Sequence, residues 1–371
     1  MGSREKLDDA GKEDPDKAAI GEPLTIDQTV DKMFTGINLK LVLVFISAVG
    51  SVYVTAAETY ITIFTGFIPY TDWACVSDNC HRLQVQSNGS EIFYSYNTMC
   101  DNNLKADTDF VWTSKRTSFS IDWGFYCDTE AKLSVASSLF FIGACIGLLS
   151  STAIFDRVGR RNGAIIGCVI AASATLAGTW IPVYEGMLAI RIFQGFGQFI
   201  NFTGVYCWVV EFAPTTLRTS IGALTLICWS CGYLLTVLIT YLIPVWNYIF
   251  LTLGILNFIL IAPLLIYPIS PRFSLVRGRE EEAKRTLEAF SRICNNETSL
   301  ATVNLAYISR VQNYWEQIKD FKKYPTMLKQ SLLCTATWFV VANLFHGFSF
   351  GFNKISDNIY ISYMFATLGQ V

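Results

Sequence analysis

Two ionisable residues sit inside long apolar runs of this 371-residue chain: Glu58 within 41–64 and Arg191 within 187–210. A charge at the centre of a hydrocarbon layer costs roughly 2.5–3.5 kcal/mol even on insertion-based scales, so residues of this kind pair, relay protons or meet a substrate. A second group, Asp156-Arg157-Val158-Gly159-Arg160-Arg161, follows an apolar run directly. Gly159 permits a tight turn there, the arginines suit a polar loop beside a membrane, and Asp156 is placed to accept hydrogen bonds from a neighbouring helix end. A third group is Cys75, Cys80, Cys100 and Cys127, an even set between two apolar runs. In an oxidising compartment these imply disulfides, with three pairings open. Asn88-Gly89-Ser90 in the same stretch is a glycosylation sequon. Asn201-Phe202-Thr203 lies in an apolar run and Asn296-Glu297-Thr298 in a basic link, and both read as chance matches. Cys228-Trp229-Ser230-Cys231 has redox-motif spacing but no strand-helix setting, so it reads as packing. No phosphate-binding loop, metal-ligand cluster or nucleophile–base pairing stands out, so ATP hydrolysis, enzymatic chemistry, a cofactor and a bound metal find no support.

The elements that position these residues follow from composition. The chain is 52% hydrophobic and 16% charged with mean hydropathy +0.37, too apolar for an ordinary soluble domain. A bilayer is the expected solvent. Spanning it takes about 20 mostly apolar residues in a helix, and seven runs qualify: 41–64, 133–155, 163–183, 187–210, 221–242, 248–267 and 332–352. An eighth, 359–371, reaches about two-thirds of the ~30 Å hydrocarbon core at ~1.5 Å per residue, so the chain is expected to be C-terminally truncated. Residues 1–40 are polar and charged of both signs, with no apolar core before a small-residue cleavage site. They read as a disordered tail, not a signal peptide. A net charge of -2 and the lack of a basic stripe with interleaved aromatics leave nucleic acid out as a partner.

Lysine and arginine in short loops mark the cytoplasmic side. Arg157, Arg160 and Arg161 follow the second run, and Arg272, Arg277, Arg279, Lys284 and Arg285 open a basic link after the sixth; the links near 183–185 and 244–247 carry none. The amino terminus is therefore expected inside, and residues 71–130, with the cysteines and Asn88, outside. Seven spans also fit a seven-helix receptor, but that topology has its amino terminus outside and would export both arginine-rich loops. In the basic link, Ala283, Leu287, Phe290 and Cys294 recur at helical spacing, as do Ile308, Val311, Trp315 and Ile318, which predicts amphipathic helices. Their expected role is structural, under the bundle or on the lipid surface, with a calmodulin-type target as the alternative.

The run Asp156 to Arg161 after a second membrane helix resembles the signature loop of the major facilitator superfamily. Arg191-Ile192-Phe193-Gln194-Gly195 is similar to that superfamily's Arg-x-x-Gln-Gly pattern, with Glu211 and Arg218 closing the fourth helix on the cytoplasmic side. Ser270-Pro271-Arg272-Phe273 resembles the Ser-Pro-Arg-Trp run of the organic cation, anion and carnitine transporters, and the large cysteine-bearing first loop fits the same branch. The likeness runs from Leu41 onward and includes Asp357-Asn358-Ile359-Tyr360 at the eighth helix. Thr152, Ile269 and Asn247 depart from it, standing where the family often has Gly, Glu and Arg.

The resemblance implies an all-α membrane protein with a major facilitator-type helical bundle. Its parts would be a cytoplasmic tail (1–40), a six-helix lobe (41–272, with the extracellular loop at 71–130), a cytoplasmic helical loop (273–330), and the seventh helix with part of the eighth (331–371). It implies alternating-access movement of small organic ions: cations, anions or zwitterions such as carnitine. Gating would fall to Asp156, Arg157, Gly159, Arg160 and Arg161 with Glu211, Arg218 and Arg272. Glu58, Arg191 and Gln194 join Phe202 and Tyr206 of the fourth helix and Trp229 of the fifth as cavity candidates, together with Trp338, Phe345 and His346 of the seventh. Aromatic faces suit organic cations at ~0.5–2 kcal/mol each, while Phe199 stands where the cation branch often has Lys. The expected partners are a small organic ion and the lipid bilayer. The alternative is a chain that does not transport, a truncated isoform or incomplete gene model acting, if at all, as a regulatory membrane partner of another transporter chain.

Overall fold

The computed structural model describes residues 26–34, 39–69, 73–77, 100–101, 104–129, 131–266, 268–294, 323–351 and 359–368. In lipid an apolar run has no water to satisfy its backbone and must close its own hydrogen bonds as a helix. The described helices are α1 (Ile26–Met33), α2 (Leu39–Thr65), α3 (Phe119–Asp122), α4 (Ala131–Val158), α5 (Arg160–Gly178), α6 (Tyr184–Phe212), α7 (Arg218–Leu242), α8 (Trp246–Ile259), α9 (Ile261–Ile266), α10 (Pro271–Val276), α11 (Glu280–Ile293), α12 (Pro325–Gly351) and α13 (Ile359–Leu368). A two-stranded antiparallel sheet, β1 (Trp73–Cys75) with β2 (Phe110–Trp112), lies in the loop between the first two long helices.

Among the described residues five helical stretches are long and apolar enough to cross a membrane: Ala131–Val158, Arg160–Gly178, Thr215–Leu242, Trp246–Ile266 and Pro325–Ser349. The architecture is the expected all-α membrane bundle. Helix α6 has ample length at 29 residues but is more polar, because Arg191, Gln194, Gln198 and Asn201 form a buried stripe along one face. Two boundaries shift for covalent reasons. Pro263 has no N–H for the Ile259 carbonyl, and the sixth span divides into α8 and α9 at Leu260. Pro182 disfavours helix at Ile181, so the third span stops at Gly178, short of residue 183.

The polar leader differs from the expected disordered tail. Ile26, Val30 and Met33, at spacings of four and three, bury one face of α1 in a cluster with Val209, Phe212, Leu275, Leu287 and Phe290. Residues 1–25 lie outside the described part. Ala283, Leu287, Phe290 and Cys294 of the basic link are buried in the same cluster, as their spacing predicts; Ile308, Val311, Trp315 and Ile318 lie outside the described residues. In the loop, Cys100 pairs with Cys127 beside a small core of Leu104 and Phe110. Cys75 is also disulfide-bonded, while Cys80 and Asn88 are outside the described residues.

Long helices without a water-driven attraction between them rely on close contact. At the α4–α6 crossing a Cβ on Gly195 would lie 1.9 Å from the Phe140 carbonyl oxygen, and one on Gly143 2.1 Å from that of Ile192. Backbone occupies the space in both directions. Gly195→Ala is therefore expected to destabilise the fold by about 1–3 kcal/mol through overpacking, read as a lower melting midpoint in detergent. Gly347→Ala, where nothing lies within 4 Å, is expected to leave the midpoint unchanged or raise it slightly.

Candidate functional site

The charged pair meets, though not as a direct ion pair. Arg191 is 1% and Glu58 0% exposed. Arg191 Nη1 donates to the Glu58 backbone carbonyl at 3.1 Å and to Gln194 Oε1 at 2.9 Å, and its guanidinium carbon lies 4.4 Å from the Phe140 ring centroid. Gln194 Nε2 then donates to Thr175 Oγ1 at 3.0 Å, and Thr175 Oγ1 to Glu58 Oε1 at 2.6 Å. Asn257 Nδ2 donates to the same carboxylate oxygen, Gln198 Nε2 to Asn257 Oδ1 at 3.1 Å, and Thr55 Oγ1 to Gln198 Oε1 at 2.9 Å. The network joins α2, α5, α6 and α8. Among the described residues, Glu58 Oε2 and Arg191 Nε and Nη2 have no hydrogen-bond partner. Thr55, Thr175, Gln198 and Asn257 were not singled out from sequence; the polar stripe 191-194-198-201 at helical spacing is the signal that points to them.

A second group gathers where α4 turns into α5. Gly159 takes φ +86°, a conformation that favours glycine, and a Cβ there would meet the Phe273 ring at 3.3 Å. Arg160 Nε pairs with Glu211 at 3.1 Å. Arg161 caps α9 by donating to the Leu264 and Leu265 carbonyls, each at 2.7 Å. Arg277 donates to the Asp156 carbonyl at 3.1 Å and packs over Phe273. The Asp156 carboxylate, expected to accept from a neighbouring helix end, is exposed, as is Arg157. Arg218 and Arg272 both bind Asp27 of α1. Asp31, one turn on, accepts from the Thr215 N–H and hydroxyl, each at 2.8 Å.

The aromatic candidates divide. Phe202 stacks with Tyr206 at 6.5 Å and meets Trp229 edge-on at 5.9 Å. His346 Nδ1 is hydrogen-bonded to the Tyr60 hydroxyl at 2.8 Å, and its ring meets Phe141 at 5.0 Å and Phe345 at 5.2 Å. Trp229 and Phe345 both pack against the cluster of Tyr60, Phe64, Tyr233 and Tyr363, which links the two groups. Trp338 is 67% exposed and stands apart from both.

Long apolar helices, a charge network sealed among four of them and a basic turn braced by a neighbouring glutamate define a multi-pass bundle of the major facilitator type. Residues 59–347 match the family described as Sugar (and other) transporter, and the chain belongs to that family. It is similar to Solute carrier family 22 member 1 of Bos taurus, at 22% identity over 70% of this chain and 46% of that protein. Solute carrier family 22 member 2 of Homo sapiens is 24% identical over 70% of this chain and 47% of its own length. Organic cation/carnitine transporter 4 of Arabidopsis thaliana is 24% identical over 83% of this chain and 57% of that protein. The chain spans about half the length of these curated relatives. A solved structure, the partially occluded inward-open conformation of the xylose transporter XylE from E. coli, shares the fold with TM-score 0.51 and 14% identity, over 89% of this chain and 70% of that one.

Removing Glu58 leaves Arg191 buried without its counter-charge, which typically costs about 3–5 kcal/mol. Glu58→Leu is expected to lower the melting midpoint in detergent strongly, and Glu58→Gln, which keeps an acceptor for Thr175 and Asn257, less so. At Asp27, burial raises the carboxyl pKa, but hydrogen bonds and charge from Arg218 and Arg272 outweigh it and hold the group below its ordinary value of 3.8. A depressed pKa adds stability that is present above the unfolded-state value and lost as pH falls through the folded-state value. Amide exchange in α1 is thus expected to show no loss of this clamp from about pH 8 to about pH 5, loosening only below about pH 4. Asp27→Asn is expected to exchange fast across the whole range, checked by hydrogen-exchange mass spectrometry corrected for intrinsic rates.

Proposed function

We propose that this protein moves small organic ions, cations foremost, across a membrane by alternating access. The observation that carries the reading is the run of aromatic rings from Phe202 and Trp229 to Phe345 and His346, joining α6, α7 and α12. Its faces offer cation–π attraction of ~0.5–2 kcal/mol each, and relatives at low identity bear the name organic cation/carnitine transporter. In this reading Phe202, Tyr206, Trp229, Phe345 and His346 line the substrate path. Glu58, Arg191 and Gln194 lie behind it and couple substrate or proton binding to movement of the first lobe. Trp338, exposed, faces lipid or a further helix.

The amino terminus, the 156–161 loop and residues 273–330 are cytoplasmic in this scheme. Residues 71–130 are extracellular and carry a glycan on Asn88, and the protein resides in the plasma membrane. Lysine and arginine placement supports that orientation. The decisive experiment is uptake of a labelled organic cation and a labelled organic anion by cells expressing the chain. Saturable cation uptake is expected, with Trp229→Ala lowering kcat/KM by about 10-fold, the loss of ~1.4 kcal/mol of binding. Uptake equal to that of untransfected cells for both ions would overturn the reading for this chain.

A further inference from the structure

We infer that the last turn of α7 forms a second cation site, at the edge of the aromatic cluster, which the Arg116 side chain occupies as a built-in competitor of an organic ammonium or guanidinium ion. The proposal rests on the carrier reading only for the class of ligand. Arg116 lies between β2 and α3. Its Nη2 donates to the Thr240 carbonyl and, at 3.2 Å, to that of Tyr241, and its guanidinium carbon sits 4.5 Å from the Tyr360 ring centroid. Tyr241 meets Tyr360 edge-on at 5.6 Å, the Tyr360 hydroxyl donates to the Thr240 carbonyl at 3.4 Å, and Phe64 stacks with Tyr360 at 5.8 Å.

Each component favours a cation. Carbonyls in the final helical turn lack intrahelical donors and lie at the negative end of the helix dipole. Tyrosine faces attract ammonium and guanidinium through their quadrupoles. Tyr241, at the rim of the site, is 67% exposed, whereas Thr240 is buried with the arginine in place, so an ion enters from the Tyr241 side once the Arg116 side chain has left. The backbone beside Arg116 is secured without the guanidinium: Thr117 N–H donates to the Pro244 carbonyl at 3.0 Å and Arg116 N–H to Ser114 Oγ at 3.2 Å. The side chain can therefore leave while the loop stays in place. An occupied site binds an external ligand only in the fraction of molecules where the arginine has left, which weakens the apparent affinity by that fraction.

The test uses the full chain in phosphatidylcholine nanodiscs with radiolabelled tetraethylammonium. Arg116→Ala is expected to bind the probe about 10-fold more tightly than the unaltered chain, and Arg116→Lys, which keeps a tethered cation, no more tightly. Adding Tyr360→Leu to Arg116→Ala is expected to abolish the gain. Arg116→Gln retains an amide donor for the two carbonyls and guards against a folding defect in Arg116→Ala. If neither neutral variant binds more tightly than the unaltered chain, or if the gain survives Tyr360→Leu, the site does not exist. Uptake of the same probe separates the two proposals: tighter binding without uptake counts against the carrier reading and leaves the site standing, whereas uptake with unchanged affinity does the reverse.

Discussion

A guanidinium sealed from water at the meeting of several helices constrains everything around it. Arg191 is fully buried, and its desolvation is offset only if neighbouring groups supply acceptors and a counter-charge. One carbonyl comes from α2 and one amide oxygen from its own helix, and the carboxylate of Glu58 is reached through Gln194 and Thr175. These groups must hold their places to within a few tenths of an ångström for the hydrogen bonds to survive. The relative positions of α2, α5, α6 and α8 are therefore specified by polar geometry, which lipid-facing apolar packing alone would leave loose.

Close approach of the helices is what makes this network attainable. Side chains as short as threonine and asparagine bridge α5 and α8 to Glu58 because small residues draw the backbones together. Gly167 and Gly197 face each other across α5 and α6 so tightly that a Cβ on either would lie within 2.7 Å of the other's carbonyl oxygen. At one end of the bundle the linkage is made differently, by arginines that reach across loops. Arg160, Arg161, Arg218, Arg272 and Arg277 each bind a group on another element. There the groups are partly solvated, so single contacts are worth less and the bracing depends on their number.

The bundle was legible in the sequence because hydrophobic length is imposed by the bilayer itself. The seven long runs became helices; the third and sixth are cut short or divided where Pro182 and Pro263 act through their missing N–H and steric bulk, and the seventh begins earlier, at Pro325. The Glu58–Arg191 meeting was legible in outline, since two charges in lipid seek each other, but its form was not. Whether a carboxylate or a backbone carbonyl accepts from Arg191 depends on rotations of side chains from four helices, which spacing along one strand of text does not encode. Helix α1 was missed because its three apolar residues are scattered through a charged segment, and their burial depends on a surface assembled from α6, α10 and α11. Asp156 shows the opposite limit: the turn motif located it, yet its carboxylate finds no described partner. Cys100 and Cys127 were legible as half-cystines but not as partners of each other.

Helix α2 links the buried network to the aromatic cluster through its own periodicity. Ser51, Thr55 and Glu58 recur at spacings of four and three, and Thr55 and Glu58 face α5, α6 and α8. Tyr53 and Tyr60, seven residues apart, hydrogen-bond outward to Cys228 of α7 and His346 of α12. At about 100° per residue, Glu58 and Tyr60 point to nearly opposite sides of one rigid helix. A rotation of α2 that moves Glu58 carries the Tyr60 side chain with it, because both are fixed to the same backbone. Linkage between the buried network and the contact with α12 thus needs no chain of intermediaries. It follows from two polar faces sharing one helical backbone.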